Sequence, residues 1–435
     1  MADGNQPDRT AIQASQLDQL RTLVAALSPS NKFYAKKLQA TGITSPVSSL
    51  SEFLTRFPFT TKSELVADQA ANPPFGTNLT FPLERYTRFH QTSGTTGLPL
   101  RWLDTPESWD SMVQSWKEVY LAAGVGAGDR IYFAFSFGPF LGFWLAFDAG
   151  QEVGALCIPG GSLGSAARVK AILDNRATVL CCTPTYALRL AEVAQTEKID
   201  LADLRLKKII VAGEPGGSIP VIRERLQHSW RGAKIFDHHG MTEVGPVTYE
   251  CPAQPGILHV IESAYLPEIV DPKTGEPVVR GTKGELVLTT LGRVGSPLLR
   301  YRTGDLVQAV ETDDCACGRK VLALAGGILG RVDDMLIVRG VNVHPSAVEA
   351  ILREFDEVAE FQGVVQTQSS MTELLIRIEP TPGCGNVEDL ALRIEARLQL
   401  AFGLRVPVTI VKIGSLPRFE MKSKRWVNGG VGERT

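Results

Sequence analysis

The sequence predicts an α/β protein. A large N-terminal domain has mainly parallel sheets covered by helices and carries a β-rich lobe, and a small α+β C-terminal domain follows it. Three observations predict this. Between Arg130 and Asp237, short β-branched and aromatic runs alternate with helical ones. Near residue 246 the pattern changes to Gly/Pro turns and alternating strands, and from Gly330 a third pattern of strands and amphipathic helices begins. At 435 residues the chain is too long for one core, so a division into residues 1–329 and 330–435 is expected, with the β-rich lobe at about 246–329.

Taken in order, the first 30 residues read as a polar helix with nothing catalytic in it. RIYFAFSF reads as a strand, GFWLAFDAG as a helix, GALCIP as a strand and SAARVKAILDN as a helix; TVLCC, TPTYALRLAEVAQ, KKIIVAG, SIPVIRERLQHSW and AKIFD continue the series. In such sheets ligands bind beyond the carboxyl ends of the strands, which points to the loops after FAFSF, IIVAG and KIFD. KGELVLTT typifies the antiparallel lobe. Beyond Gly330, DMLIVRG, EFQGVVQ, ELLIRIE and VPVTIVKI are strand-like, and PSAVEAILREF and VEDLALRIEARLQLAF are helical. That is a unit of roughly 100 residues, large enough to fold alone.

Composition excludes several classes. The chain is 44% apolar and 21% charged, ordinary for a soluble globular protein, and its net charge of −2 offers no basic field for nucleic acid or anionic membrane. The start, MADGNQPDRT, has neither a basic nor an apolar targeting segment, and stretches such as FAFSFGPFLGFWLAF are broken by Gly, Ser and Pro. A cytoplasmic location is expected. Seven cysteines in such a chain point to thiols or metal rather than disulfides, and Cys181 and Cys182, within ATVLCCTP, read as core.

Five stretches carry chemistry. In 91-QTSGTTGLPL-100, Ser93, Gly94, Thr95, Thr96 and Gly97 offer backbone N–H groups and hydroxyls to an oxygen-rich ligand, without the lysine of the usual P-loop. In 237-DHHGMTEVG-245, Thr242 can donate to a phosphate and Glu243 suits magnesium. In 301-YRTGDL-306, Asp305 on a Gly turn can accept from both hydroxyls of a ribose. Arg331 and Lys422 lie in GRVDDMLIVRG and LPRFEMKSKRW. Taken alone, each has an ordinary reading: a surface hairpin, a helix N-cap, a β-turn, solvated charge.

Together and in this order, TSGTTGLP, HGMTE, YRTGDL, GRVDDMLIVRGVNV and PR-x-x-x-K-x-x-R resemble the adenylate-forming acyl and aryl-acid ligases, closest to the phenylacetate–coenzyme A ligase branch, from about His90 to Arg425. The resemblance implies ATP, Mg2+ and coenzyme A. Ser93 to Gly97 would embrace the β- and γ-phosphates, Thr242 the α-phosphate and Glu243 the magnesium. Asp305 and Arg331 would hold the ribose, and Gly213, Glu214 and Pro215 with Asp237 and His238 would flank the adenine. Lys422 would bridge the acid and the α-phosphate. Asp333 matches the hinge about which the C-terminal domain swings between half-reactions. The branch also implies a homodimer as an assembly, though no interface is legible.

The sequence departs from that family at four places: His239 for Tyr, Met421 for Gly, His344 for an aromatic, and Trp102 after the phosphate loop. The first leaves adenine stacking to a titratable ring; none removes a catalytic group. Cys251, His259 and the CACG pair Cys315 and Cys317 fit a tetrahedral structural zinc site, a grouping similar to one in the phenylacetate branch, with four unrelated reduced side chains as the alternative. For the acid, Phe135, Phe137, Phe140 and Phe143 with Ala212, Gly213 and Gly240 suggest a slot for a flat aryl or arylacetic acid, and the FSFGPFLGF stretch has no carboxylate before Asp148 to hold an α-ammonium. The expected activity is therefore an AMP-forming aryl-acid–CoA ligase. Two alternatives stay open: an adenylating enzyme that serves a carrier-protein thiol or an amine, and a nucleotide-binding regulatory protein.

Overall fold

The computed structural model describes residues 7–28, 30–43, 46–92, 99–310, 315–334, 336–339, 341–368, 371–419 and 424–429. Its central layer is a parallel five-stranded sheet ordered Leu156–Pro159, Arg130–Phe133, Val179–Cys182, Lys208–Val211, Lys234–Asp237. Successive residues of these strands serve opposite faces. Ile131, Phe133, Val179, Cys181 and Ile210 pack with Trp116, Tyr120, Leu145 and Ala149, from helices Pro106–Ala122 and Leu141–Glu152. Tyr132, Leu180, Cys182, Ile209 and Val211 pack with Val169, Leu190 and Leu226, from helices Ser165–Asp174, Pro184–Thr196 and Pro220–Ser229. Cover on both faces explains why these strands read as unbroken apolar runs.

The second layer is an antiparallel seven-stranded sheet. Its order is Thr248–Glu250, Ile257–Val260, Ala323–Ala325, Tyr301–Val310, Lys283–Thr290, Tyr265–Val270, with Gly330–Arg331 also paired to Tyr301–Val310. The N-terminal helix Arg9–Leu27 is less polar than its sequence suggests. Leu20, Leu23, Val24 and Leu27 are buried against Leu266, Leu291 and Leu299 of this lobe.

At the C-terminal end a four-stranded sheet is ordered Val408–Ile410, Met371–Pro380, Val358–Gln368, Trp426–Asn428. Helices Pro345–Arg353 and Val387–Phe402 cover it through Val348, Leu352, Leu390, Ile394 and Leu398. The strand Trp426–Asn428 was not foreseen; it pairs in parallel with Val358–Gln368 and brings Arg425 up to the sheet edge. Arg425 there is 3% exposed. Its Nε lies 2.6 Å from Glu360 Oε1, and its Nη1 donates to Glu349 Oε1 (3.1 Å) and, across to helix Pro184–Thr196 of the parallel layer, to Thr185 Oγ1 (3.3 Å).

Candidate active site

The loops at the carboxyl ends of two central strands carry the first group of expected residues. Ala212, Gly213, Glu214 and Pro215 follow strand Lys208–Val211, and Asp237 ends strand Lys234–Asp237 with His238 next to it. Gly213 has φ +94°, a left-handed conformation that favours glycine. Glu214 Oε1 accepts from the Thr185 amide at 2.9 Å. Asp237 accepts from Ser218 Oγ at 2.5 Å, and burial pushes its carboxyl up to about 6 despite that bond. His238 is buried edge-on against Trp116, with ring centroids 4.3 Å apart; burial pushes its imidazole down to about 3, so it is neutral.

The short pair Gly240–Met241 and Gly245–Pro246 closes a turn holding Thr242 and Glu243. A Cβ on Gly240 would lie 2.8 Å from the Gly245 carbonyl oxygen, so the close pairing requires glycine there. Glu243 is 5% exposed. Its Oε1 lies 3.2 Å from Lys62 Nζ, at the start of helix Lys62–Ala71. Sequence reading missed Lys62, because nothing in TTKSEL marks a partner so far along the chain.

Asp305 and Arg331 occupy partnered positions of adjacent strands. Arg331 Nη1 donates to Asp305 Oδ1 at 3.1 Å and to the Thr303 carbonyl at 2.9 Å, while its Nε and Nη2 reach the two oxygens of Asp333 at 2.9 and 3.1 Å. One guanidinium thus joins the expected ribose carboxylate to the expected hinge. On the other side of Asp305, His239 Nε2 lies 3.0 Å from Oδ2. The His239 ring is therefore set against Asp305, a contact that the substitution for Tyr did not foretell. Burial works to raise the Asp305 carboxyl, but His239 and Arg331 outweigh it and hold it below the usual carboxylate range.

Ser93, Gly94, Thr95, Thr96, Gly97 and Lys422 lie outside the described residues. The strands flanking the first of these segments, Arg88–Gln91 and Arg101–Asp104, form an antiparallel hairpin. Of the expected acid pocket, Phe135 is 7% exposed and stacks on Phe143 at 3.8 Å between centroids, while Phe137, Phe140, Ala212 and Gly240 are half-buried. Phe137 meets Trp144 edge-on at 5.0 Å. Asp148 is already engaged, accepting from Arg88 Nη2 at 3.0 Å and Trp109 Nε1 at 2.9 Å.

In the antiparallel lobe, Cys251, His259, Cys315 and Cys317 converge, with ligand atoms all within 4.8 Å of one another. Sγ–Sγ distances are 3.6 Å (Cys251–Cys315) and 3.2 Å (Cys315–Cys317), and His259 Nε2 lies 3.3 Å from Cys317 Sγ and 3.9 Å from Cys315 Sγ. A tetrahedral zinc with ordinary bond lengths requires roughly 3.8 Å between sulfurs and roughly 3.5 Å from sulfur to nitrogen. The set fits a cation of that size. Burial, with Arg319 nearby, pushes His259 down to about 4, leaving a neutral imidazole with a free lone pair.

Comparison with known proteins bears on the family and the fold. A family model described as AMP-binding enzyme matches residues 89–292, and one described as AMP-binding enzyme C-terminal domain matches residues 340–429. The phenylacetate-coenzyme A ligase of Thermus thermophilus is 33% identical over 432 residues, covering 95% of each chain. A solved 2-hydroxyisobutyryl-CoA ligase in the postadenylation state, in complex with 2-HIB-AMP, superposes with a TM-score of 0.92 at 28% identity, over 99% of this chain and 93% of that one. The same enzyme with 2-HIB-AMP and CoA in the thioesterification state gives 0.73 at 29% identity, over 98% and 93%.

Proposed function

Because the chain belongs to the phenylacetate–coenzyme A ligase family of AMP-binding enzymes, we propose that its own acid is an aryl or arylacetic acid. It is an AMP-forming acid–thiol ligase. The acid's carboxylate attacks the α-phosphorus of ATP, the bond to the bridging oxygen breaks, and pyrophosphate leaves with the electron pair. The CoA thiol then attacks the acyl carbon, loses its proton and expels AMP.

The observation that supports the site reading is a contact between two of the motifs: His239, two residues past the end of strand Lys234–Asp237, lies 3.0 Å from Asp305, which in turn accepts from Arg331. In this reading Ser93 to Gly97 and Thr242 donate to phosphate oxygens and offset the charge that an incoming carboxylate meets. Asp305 and Arg331 hold the ribose, and Gly213, Glu214, Pro215, Asp237 and His238 line the adenine. Lys422 bridges the carboxylate and the α-phosphate. Glu243 is suited to magnesium because it is a buried carboxylate that already balances a cation, Lys62; the ion supplies charge neutralisation at the phosphates when bound. Cys251, His259, Cys315 and Cys317 hold a closed structural zinc, distant in role from the chemistry.

Asp333 is the hinge in this reading. The closer superposition on a postadenylation state than on a thioesterification state supports an alternating C-terminal domain, with this arrangement on the adenylation side. The aromatic cluster favours a flat acid, and the occupied Asp148 leaves no free carboxylate in that stretch for an amino acid's ammonium. The test is acid-dependent pyrophosphate release from MgATP across a panel of aryl, arylacetic and short aliphatic acids, then with CoA. Preference for an aryl acid, converted by CoA to its thioester with AMP, is expected. Preference for an aliphatic acid would overturn the substrate reading.

A further inference from the structure

We propose that Arg293 is a positioning residue for adenylation: buried and locked by Asp104, it holds the backbone of Thr242 and Glu243 in place. The proposal rests on the reading of Glu243 as the magnesium carboxylate.

Arg293 stands in LGRVGSP, just after strand Lys283–Thr290, a segment whose sequence carries no motif. Its side chain is 1% exposed, and that of its partner Asp104 is 0% exposed. The pairing is bidentate, with Nε to Oδ1 and Nη2 to Oδ2 both at 2.6 Å. The remaining nitrogen, Nη1, donates to the carbonyls of Thr242 (2.8 Å) and Glu243 (2.9 Å). The guanidinium also sits 5.3 Å from the centroid of the Trp102 ring. His90 Nδ1 lies 3.9 Å from Asp104 Oδ2 on the far side.

The geometry has a direction. Asp104 ends the hairpin Arg88–Gln91/Arg101–Asp104, whose two strands lead into and out of the 93–98 segment. Thr242 and Glu243 occupy the two-strand turn across the site. Arg293 touches both and belongs to neither, so it fixes the distance between the phosphate loop's frame and the turn that carries the expected phosphate donor and magnesium carboxylate. A planar fork has donors at fixed angles to do this; a lysine has one ammonium and cannot satisfy two carboxylate oxygens and two carbonyls at once. A buried guanidinium must pair every N–H, and here the third nitrogen finds its partners in the carbonyls of the two consecutive residues expected to serve phosphate and magnesium.

The test uses full-length Arg293→Lys, with Asp104→Asn as a second route to the same loss and Glu243→Gln as comparator. Folding is followed by circular dichroism and thermal midpoint. Arg293→Lys is expected to raise the half-saturating Mg2+ for acid-dependent pyrophosphate release about tenfold or more, the scale of a lost hydrogen bond to a charged donor, and to lower kcat, with KM for CoA unchanged. Should Arg293→Lys not fold, the same shift in Asp104→Asn carries the test. Activity that falls only in step with folded protein, at unchanged Mg2+ dependence, would overturn the proposal and leave a structural ion pair. An unshifted Mg2+ dependence in Glu243→Gln would instead overturn the reading on which the proposal rests, while a shift there without one in Arg293→Lys or Asp104→Asn would sink the positioning role alone.

Discussion

Lys62 Nζ lies 3.2 Å from Glu243 Oε1, so a helix near the chain's start places an ammonium on the carboxylate assigned to magnesium. The lysine side chain is 47% exposed and the glutamate 7%, which leaves the pair partly screened by solvent. A divalent ion that takes Glu243 as a ligand must displace this ammonium. Lys62→Met should therefore lower the half-saturating Mg2+ concentration for pyrophosphate release, by roughly 2–5-fold for an ion pair of this exposure. A Mg2+ titration of both proteins at fixed ATP checks it. Half-saturation that stays the same or rises would show that Lys62 does not compete at Glu243.

Asp305 accepts from Arg331 at Oδ1 and has His239 Nε2 3.0 Å from Oδ2, and the two hold its carboxyl below the usual range. If it accepts the ribose hydroxyls, Asp305→Ala should weaken ATP binding by about tenfold or more, the usual scale of hydrogen bonds to a charged group. Equilibrium dialysis with ATP in the absence of acid measures this directly. Unchanged affinity would remove Asp305 from the ribose.

The parallel layer was legible because it is local. Apolar runs such as TVLCC and KKIIVAG alternate with amphipathic helices, and burial on both faces leaves that period in the sequence. Asp305 and Arg331 stood out only through the joint order of their motifs, since each alone reads as an ordinary turn or a solvated charge. What stayed hidden depends on contacts between distant segments. Lys62 reaches Glu243, His239 turns to Asp305, and Arg293 spans two loops from an unmarked stretch. None leaves a periodicity or a spacing. The strand Trp426–Asn428 escaped for a related reason: three residues beside a charged stretch of sequence carry no pattern of their own, and only a pre-existing edge makes them a strand. The four metal-ligand candidates lay between these cases, since CACG is a local signal and its partners are not.

Lys422 lies at the far end of the chain, outside the described residues, while Arg425, three positions on, is anchored by Glu360 and Glu349 and reaches Thr185. Arg425 thus reaches the residue whose amide donates to Glu214. Lys422→Ala should abolish pyrophosphate release while thioester formation from supplied acyl-adenylate and CoA stays largely intact. Equal loss in both half-reactions would contradict the bridging role.

The cysteine–histidine cluster predicts a stoichiometry. Elemental analysis of the purified protein should find about one zinc per chain, absent from Cys317→Ser, whose thermal midpoint should fall by roughly 5 °C or more as a structural metal is lost. A metal-free preparation whose midpoint does not respond to Cys317→Ser would identify four reduced side chains that merely lie close together.

Asp237 gives the pH prediction. Burial raises its carboxyl in the folded protein to about 6 from an ordinary 3.8, ahead of the opposing bond from Ser218 and the charge of Arg223. An acid whose folded value is raised binds its proton more tightly when folded. Its contribution to stability is complete below the ordinary value and is lost as pH rises through the folded one. Above pH 6 the native protein therefore bears an ionised carboxylate in an enclosed place, a penalty that an uncharged amide of the same shape escapes. The thermal midpoint of Asp237→Asn, measured relative to the unsubstituted protein, should rise steadily between about pH 4 and pH 7 and level off above that. A difference that is flat across this window would place the Asp237 titration outside it, and one that falls with pH would mean that the ionised form is the one the fold stabilises.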